Sequence, residues 1–148
     1  MSDKKRIAIL GSTGSIGKQV LEVVAAYPDQ FEISLLSAHN NAELLIEQAI
    51  KFEANTVVIT NEDLYPKIEE VLWKEDIKAY SGHKALEDCV QMDEIDLVVA
   101  AIVGYAGLSS TIKAIEAKKN IALANKEALV VAGELITKLA LEKGVNIY

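Results

Sequence analysis

Arg6-Ile7-Ala8-Ile9-Leu10-Gly11-Ser12-Thr13-Gly14-Ser15-Ile16-Gly17 is the stretch that decides the fold. Ile7 to Leu10 are all apolar, the pattern of a strand buried on both faces in a parallel sheet. A glycine-rich turn follows at once, and Gln19 to Tyr27 carry a helical pattern that places Val20, Val23, Val24 and Tyr27 on one face. Strand, glycine turn and helix in this order make the phosphate-binding element of a dinucleotide fold. The competing reading is a plain strand-turn-helix with no ligand.

Each glycine has its own expected task. Gly11 can take the positive φ needed to leave the strand sharply. Gly14 lacks a Cβ, so a pyrophosphate can approach the backbone, and Gly17 lets the helix settle close to the strand. The amides of the first helical turn, around Ser15 and Ile16, have no partners within the helix and point where an anion would sit. The spacing is G-x-x-G-x-x-G rather than the commoner G-x-G-x-x-G.

The chain has 148 residues, enough for one domain with a substantial core. Hydrophobic residues make up 51% and aromatic ones only 5%, a balance suited to a parallel sheet covered by helices. Charges interrupt every hydrophobic run, so no membrane span is expected, and Met1 to Arg6 lack a signal-peptide hydrophobic region. One cysteine, Cys89, excludes an internal disulfide and a cysteine-built metal site, which points to a reducing, cytoplasmic setting. The net charge of −7, with no basic stripe, argues against nucleic acid as a partner. An anionic ligand must therefore be held by local amides and dipoles.

Further strands are expected at Phe31 to Leu36, Thr56 to Thr60, Ile77 to Tyr80, Asp96 to Val103, Ile121 to Ala124 and Val145 to Tyr148. Helices are expected from Ala42 to Phe52, from a cap at Asn61 to about Trp73, from Gly82 to Val90, from Leu108 to Ala117, and from Lys126 to Leu141. Asp96 to Val103 is the most apolar strand and a candidate for the sheet centre, with Gly104 to Gly107 as its exit turn. Strand-helix alternation throughout means an α/β domain with a doubly wound, mostly parallel Rossmann-type sheet and helices on both faces. Trp73 is expected to anchor its helix on the sheet. His83 reads as a surface residue, with no second histidine or acid spaced to form a metal site.

In this fold an acidic residue closing the second strand binds the ribose hydroxyls of NAD. Here the place holds Ser37, Ala38, His39 and Asn40, and the missing acid favours NADP. His39 can hydrogen-bond a 2′-phosphate, or it is simply a solvated loop histidine. A second stretch, Ala124-Asn125-Lys126-Glu127, puts an amide, a cation and a carboxylate at the carboxyl end of the sheet. Read blandly, Asn125 is a helix cap and Glu127 a first-turn acid.

Three pieces together resemble the 1-deoxy-D-xylulose 5-phosphate reductoisomerase family. They are Gly11 to Gly17, Ala100-Ala101-Ile102-Val103-Gly104-Tyr105-Ala106-Gly107-Leu108, and Leu123-Ala124-Asn125-Lys126-Glu127-Ala128-Leu129-Val130. The likeness extends over essentially residues 1–148, matching the family's N-terminal NADPH-binding domain. It implies that Thr13, Gly14, Ser15 and Ile16 hold the pyrophosphate and adjoining ribose. Ala38, His39 and Asn40 would meet the 2′-phosphate, Asn125 and Glu127 the cofactor, and Lys126 the sugar-phosphate substrate. The family often has Gly-Lys-Asn where this chain has Ala38-His39-Asn40, so a less steep preference for NADPH over NADH is expected.

The family's reaction rearranges 1-deoxy-D-xylulose 5-phosphate and reduces the product with NADPH to 2-C-methyl-D-erythritol 4-phosphate, in non-mevalonate isoprenoid synthesis. A divalent metal, Mg or Mn, assists it, held by carboxylates of an Asp-Ser-Glu type motif expected beyond Tyr148. These 148 residues are thus expected to bind NADPH without turnover, with no catalytic or metal-ligating residue of their own. The resemblance also implies a homodimer for the full-length enzyme. The alternatives are the N-terminal domain of another NADP-dependent dehydrogenase, such as an aspartate-semialdehyde or homoserine dehydrogenase, and a free-standing nucleotide-sensing or CoA-binding module.

Overall fold

The computed structural model describes residues 3–102, 104–124 and 126–148, with the side chains of 104–106 and 126–132 outside that description. Six parallel strands, β1 (Lys5–Leu10), β2 (Phe31–Ala38), β3 (Thr56–Ile59), β4 (Lys78–Ser81), β5 (Leu97–Ala100) and β6 (Asn120–Leu123), form one sheet in the order β4-β3-β2-β1-β5-β6. Between and after them run α1 (Ser15–Ala26), α2 (Ala42–Lys51), α3 (Tyr65–Leu72), α4 (His83–Cys89), α5 (Gly104–Glu116) and α6 (Lys126–Lys143). This is the doubly wound sheet expected from strand-helix alternation.

Alternation along β1 divides the core. Ile7 and Ile9 face the α1–α3 side with Leu21, Val24, Leu45 and Ile68. Ala8 and Leu10 face the α4–α6 side with Leu86, Ile115 and Ile136. β2 does not alternate simply. Its register against β1 shifts between Ile7 and Ala8, so Ile33 pairs with Ile7 and Leu35 with Ala8. Ser34 is the extra residue, and its hydroxyl donates to the Glu94 carbonyl at 2.7 Å. Ile33 and Leu35, two apart in sequence, therefore face opposite layers.

β1 lies in the interior, with β2 on one side and β5 on the other, and the winding direction reverses between β1 and β5. β5 is interior but not central, because four strands lie on the far side of it and only β6 beyond. Crevices at such reversals open over the carboxyl ends of the strands.

Helix α1 starts at Ser15, a turn earlier than the sequence pattern implies, and its buried side is Gly17, Leu21 and Val24. Val23 and Tyr27, expected inside, are 50% and 52% exposed. Gly17 causes the difference. A Cβ there would lie 2.6 Å from Ser12 Cα and closer still to the Gly11 carbonyl oxygen. The glycine seats the first turn on the loop, and that contact sets which residues of α1 face the sheet.

The same device recurs at α5, which begins at Gly104 rather than Leu108. A Cβ on Gly107 would lie 3.0 Å from the Ile102 carbonyl carbon, so Gly107 belongs to the packed helix and not to an exit turn. Asn61 caps a short 3-10 turn, Glu62–Leu64, by accepting from the Asp63 amide at 3.1 Å, and α3 follows. Trp73 does not anchor α3. It starts a second 3-10 turn and is 80% exposed, because Ile68 and Leu72 fill the inward stripe. The last segment meets β6 through one parallel bridge, Ile121 with Ile147, rather than as a full strand. Among the described residues no helix is long and apolar enough to cross a membrane.

At the amino end of the sheet Arg6 grips Asp96. The Arg6 amide and Nε donate to Oδ2 at 2.8 and 3.1 Å, and a terminal guanidinium nitrogen donates to Oδ1 at 3.0 Å. These guanidinium hydrogen bonds, more than any other cause, hold the Asp96 carboxyl below the usual carboxylate range. A depressed folded value means stability that is present above the unfolded value of about 4 and lost as pH falls through the folded one. Asp96→Asn should therefore flatten the acid limb of the urea midpoint against pH. An unchanged limb would assign it to other carboxylates. Gly17→Ala should cost at least about 1–3 kcal/mol in denaturant unfolding, since backbone rather than a flexible side chain must yield. A cost near zero would show that α1 can lift off the loop.

Candidate cofactor crevice

A cavity of about 490 Å³ opens at the carboxyl end of the sheet. Gly11, Thr13 and Gly14 line it from the β1–α1 loop, Ser37, Ala38 and His39 from the end of β2, Ala101 and Ile102 from the end of β5. Thr60 and His83 complete the wall on the β3 and β4 side. Five of the residues singled out from the sequence thus meet in one place: Gly11, Thr13, Gly14, Ala38 and His39.

Gly11 leaves β1 with φ +85°, and a Cβ on it would lie 3.1 Å from the Ala101 carbonyl oxygen. Gly14 is different. Its φ is −80°, and a Cβ there would meet only the Gly11 carbonyl oxygen at 3.7 Å. Protein does not need the space at Gly14, which leaves it for a ligand. No side chain caps α1 at Gly14 and no acid lies in the first turn. The Gly14 amide donates to the Gly11 carbonyl at 3.4 Å, whereas the amides that follow it in the first turn are available to an anion that no first-turn carboxylate opposes. Ser15 and Ile16 sit in that first turn with exposed side chains, whereas Gly17 is buried behind the loop.

A buried network holds the loop in shape. Gly11 donates its amide to the Ser37 carbonyl (3.2 Å) and hydroxyl (3.1 Å), and the Ser12 amide donates to the Ser37 carbonyl at 2.9 Å. Gln48 reaches over from α2: its Nε2 donates to the Ser12 carbonyl at 3.0 Å and its Oε1 accepts from the Ser12 hydroxyl at 2.7 Å. Ser12 and Ser37 are fully buried and Gln48 nearly so. From the sequence Ser37 reads only as part of the stretch that closes the second strand, and Gln48 only as a position within the helix from Ala42 to Phe52. A glutamine among apolar positions of α2 is the sequence signal of a buried polar task.

His39 is exposed at the end of β2, and its Nδ1 lies 2.8 Å from Thr60 Oγ1. Nε2 takes no part in that bond and is the nitrogen left to meet a ligand. Asn40, also exposed, accepts from Asn61 Nδ2 at 2.8 Å and does not line the cavity. His83 remains a surface residue, as expected, but it stacks on His39 across the crevice mouth. Its arrival depends on β4 lying beyond β3, which sequence periodicity does not reveal. Cys89 is buried and its thiol is pushed up to about 11 by desolvation, which suits a packing role and not a nucleophile. Asn125 and the side chains of Lys126 and Glu127 lie outside the described residues. Among the described residues no three of His, Cys, Asp or Glu cluster so as to hold a metal ion.

Comparison with known proteins agrees with this geometry. A family model described as 1-deoxy-D-xylulose 5-phosphate reductoisomerase matches residues 7–133. The 1-deoxy-D-xylulose 5-phosphate reductoisomerase of Porphyromonas gingivalis is 55% identical over 144 residues, 97% of this chain and 37% of that protein. A solved structure of the reductoisomerase from Zymomonas mobilis in complex with NADPH superposes with a TM-score of 0.93 at 36% identity, covering 99% of this chain and 39% of that one. A reductoisomerase structure in complex with NADPH, fosmidomycin and magnesium superposes at 0.90 with 37% identity, covering 97% of this chain and 35% of that one. The chain thus spans little more than a third of the length of the relatives it matches. With a glycine loop, a reversal-point crevice and a family model that runs from β1 into α6, the chain belongs to the 1-deoxy-D-xylulose 5-phosphate reductoisomerase family.

Proposed function

We propose that this chain is the NADPH-binding part of an enzyme that converts 1-deoxy-D-xylulose 5-phosphate to 2-C-methyl-D-erythritol 4-phosphate. The observation that carries this reading is the crevice over the ends of β1, β2 and β5, floored by Gly11 to Gly14 and free of acidic side chains among its described lining. The open face of Gly14 and the uncapped first turn of α1 suit a pyrophosphate. NADPH supplies the hydride of the reduction when bound.

In this reading Thr13, Gly14, Ser15 and Ile16 hold the pyrophosphate and adjoining ribose, through the amides of the first turn of α1. Gln48 and Ser37 keep those amides aimed by fixing Ser12 and Gly11. Ala38 and His39 meet the adenosine 2′-phosphate, with His39 oriented by Thr60, while Asn40, bonded to Asn61 outside the cavity lining, stands beside that contact. Asn125 and Glu127 contact the cofactor and Lys126 reaches the sugar phosphate. A divalent metal, Mg or Mn, belongs in this reading to the full-length enzyme, since the described residues bring no suitable ligand cluster together. The 148 residues alone are proposed to hold cofactor without turnover, and the whole enzyme to work as a cytoplasmic homodimer.

Calorimetric titration with NADPH and with NADH tests the reading. Saturable NADPH binding with weaker NADH binding is expected. His39→Ala should weaken NADPH by about tenfold and leave NADH nearly unchanged, the scale of one hydrogen bond to a charged group. Gln48→Ala should weaken both cofactors alike, because it loosens the loop and not the adenosine contact. Equal affinity for NADPH and NADH would remove the role given to His39. A folded protein that binds neither would overturn the crevice as a cofactor site.

A further inference from the structure

The His83 ring lies against the same crevice, outside the contacts assigned to the glycine loop and to Ala38 and His39. It opens α4, which follows the edge strand β4, while His39 follows β2. The two rings are nearly parallel, with 20° between planes and 6.3 Å between centroids. Since β3 runs between β2 and β4, the pair spans the end of β3 where Thr60 sits, and all three residues line the cavity.

In this fold the residue that follows the second strand meets the adenosine ribose at its 2′ position, and here that residue is His39, with His83 against it. A 2′-phosphate needs cations or N–H donors. Among the described residues that line the cavity there is no lysine, arginine, aspartate or glutamate. Lys84, next in sequence to His83, is paired with Asp88 at 3.1 Å. At the β2 to β4 end the lining therefore offers a phosphate two imidazoles and the Thr60 hydroxyl, which already bonds His39, while the Thr13 and Ser37 hydroxyls lie on the glycine-loop side. A tetrahedral phosphate can bridge two ring nitrogens held at this spacing.

We propose that His83 is a specificity-determining residue, which with His39 forms an imidazole pair that grips the 2′-phosphate of NADPH. The proposal rests on the cofactor reading given above and extends it to a residue on a different element. It also explains how the crevice can prefer NADPH with neither lysine nor arginine among its described lining.

Titrations of the wild type, His83→Ala and His83→Arg with NADPH and NADH separate the outcomes. His83→Ala should weaken NADPH by about tenfold and leave NADH unchanged, which also shows that the variant is folded. His83→Arg should retain or strengthen the preference for NADPH. Equal weakening toward both cofactors would overturn the proposal in favour of a ring that stacks on adenine. NADPH affinity unchanged in His83→Ala would overturn it outright. A wild type that binds no NADPH would instead defeat the underlying cofactor reading, so the two failures are distinguishable.

Discussion

Everything at the carboxyl end of the sheet depends on how closely α1 approaches the loop that leaves β1. At Gly17 the backbone of the helix comes so near Ser12 and the Gly11 carbonyl that even one methyl group would be excluded. This contact fixes the angle of α1, the stripe it buries and the direction of its first amides. Gly107 repeats the arrangement against Ile102 at the end of β5. The crevice lies between these two close approaches, and its shape follows from them.

The remaining wall is built by buried hydrogen bonds rather than by charge. Ser37 accepts from Gly11 and Ser12, and Gln48 pairs with Ser12 at both ends of its amide. Such groups are costly to bury unpaired, so the network favours one loop conformation over others. The protein carries a net charge of −7, yet the described lining of the crevice has no acid. An anionic cofactor, as proposed, would thus be met by local dipoles in a protein whose overall charge opposes it.

Much of the fold was legible in the sequence because parallel strands between helices are nearly continuous apolar runs. β1, β3 and α2 fall within a residue or two of where composition puts them. Two of the differences come from glycines that pack helices closely, and the third from where a helix ends. Val23 and Tyr27 fit an apolar stripe by spacing, but Gly17 decided the rotation of α1. Gly104 to Gly107 read as a turn because glycine usually breaks helices, whereas here it lets one pack. Trp73 suits a buried task by residue type, but its place past the end of α3 leaves it in solvent.

By itself the sequence determined the α/β class, the glycine loop and the position of His39 at the end of the second strand. These are local facts, set by period, residue type and neighbours along the chain. Only the tertiary structure decided that Ser34 shifts the register of β2, that Gln48 braces Ser12, and that His83 faces His39. Each of these joins residues far apart in sequence, and strand order, which places β4 beside β3 and β1 beside β5, brings them together. Local propensity carries no record of that order, because it arises from how whole layers bury their faces against one another.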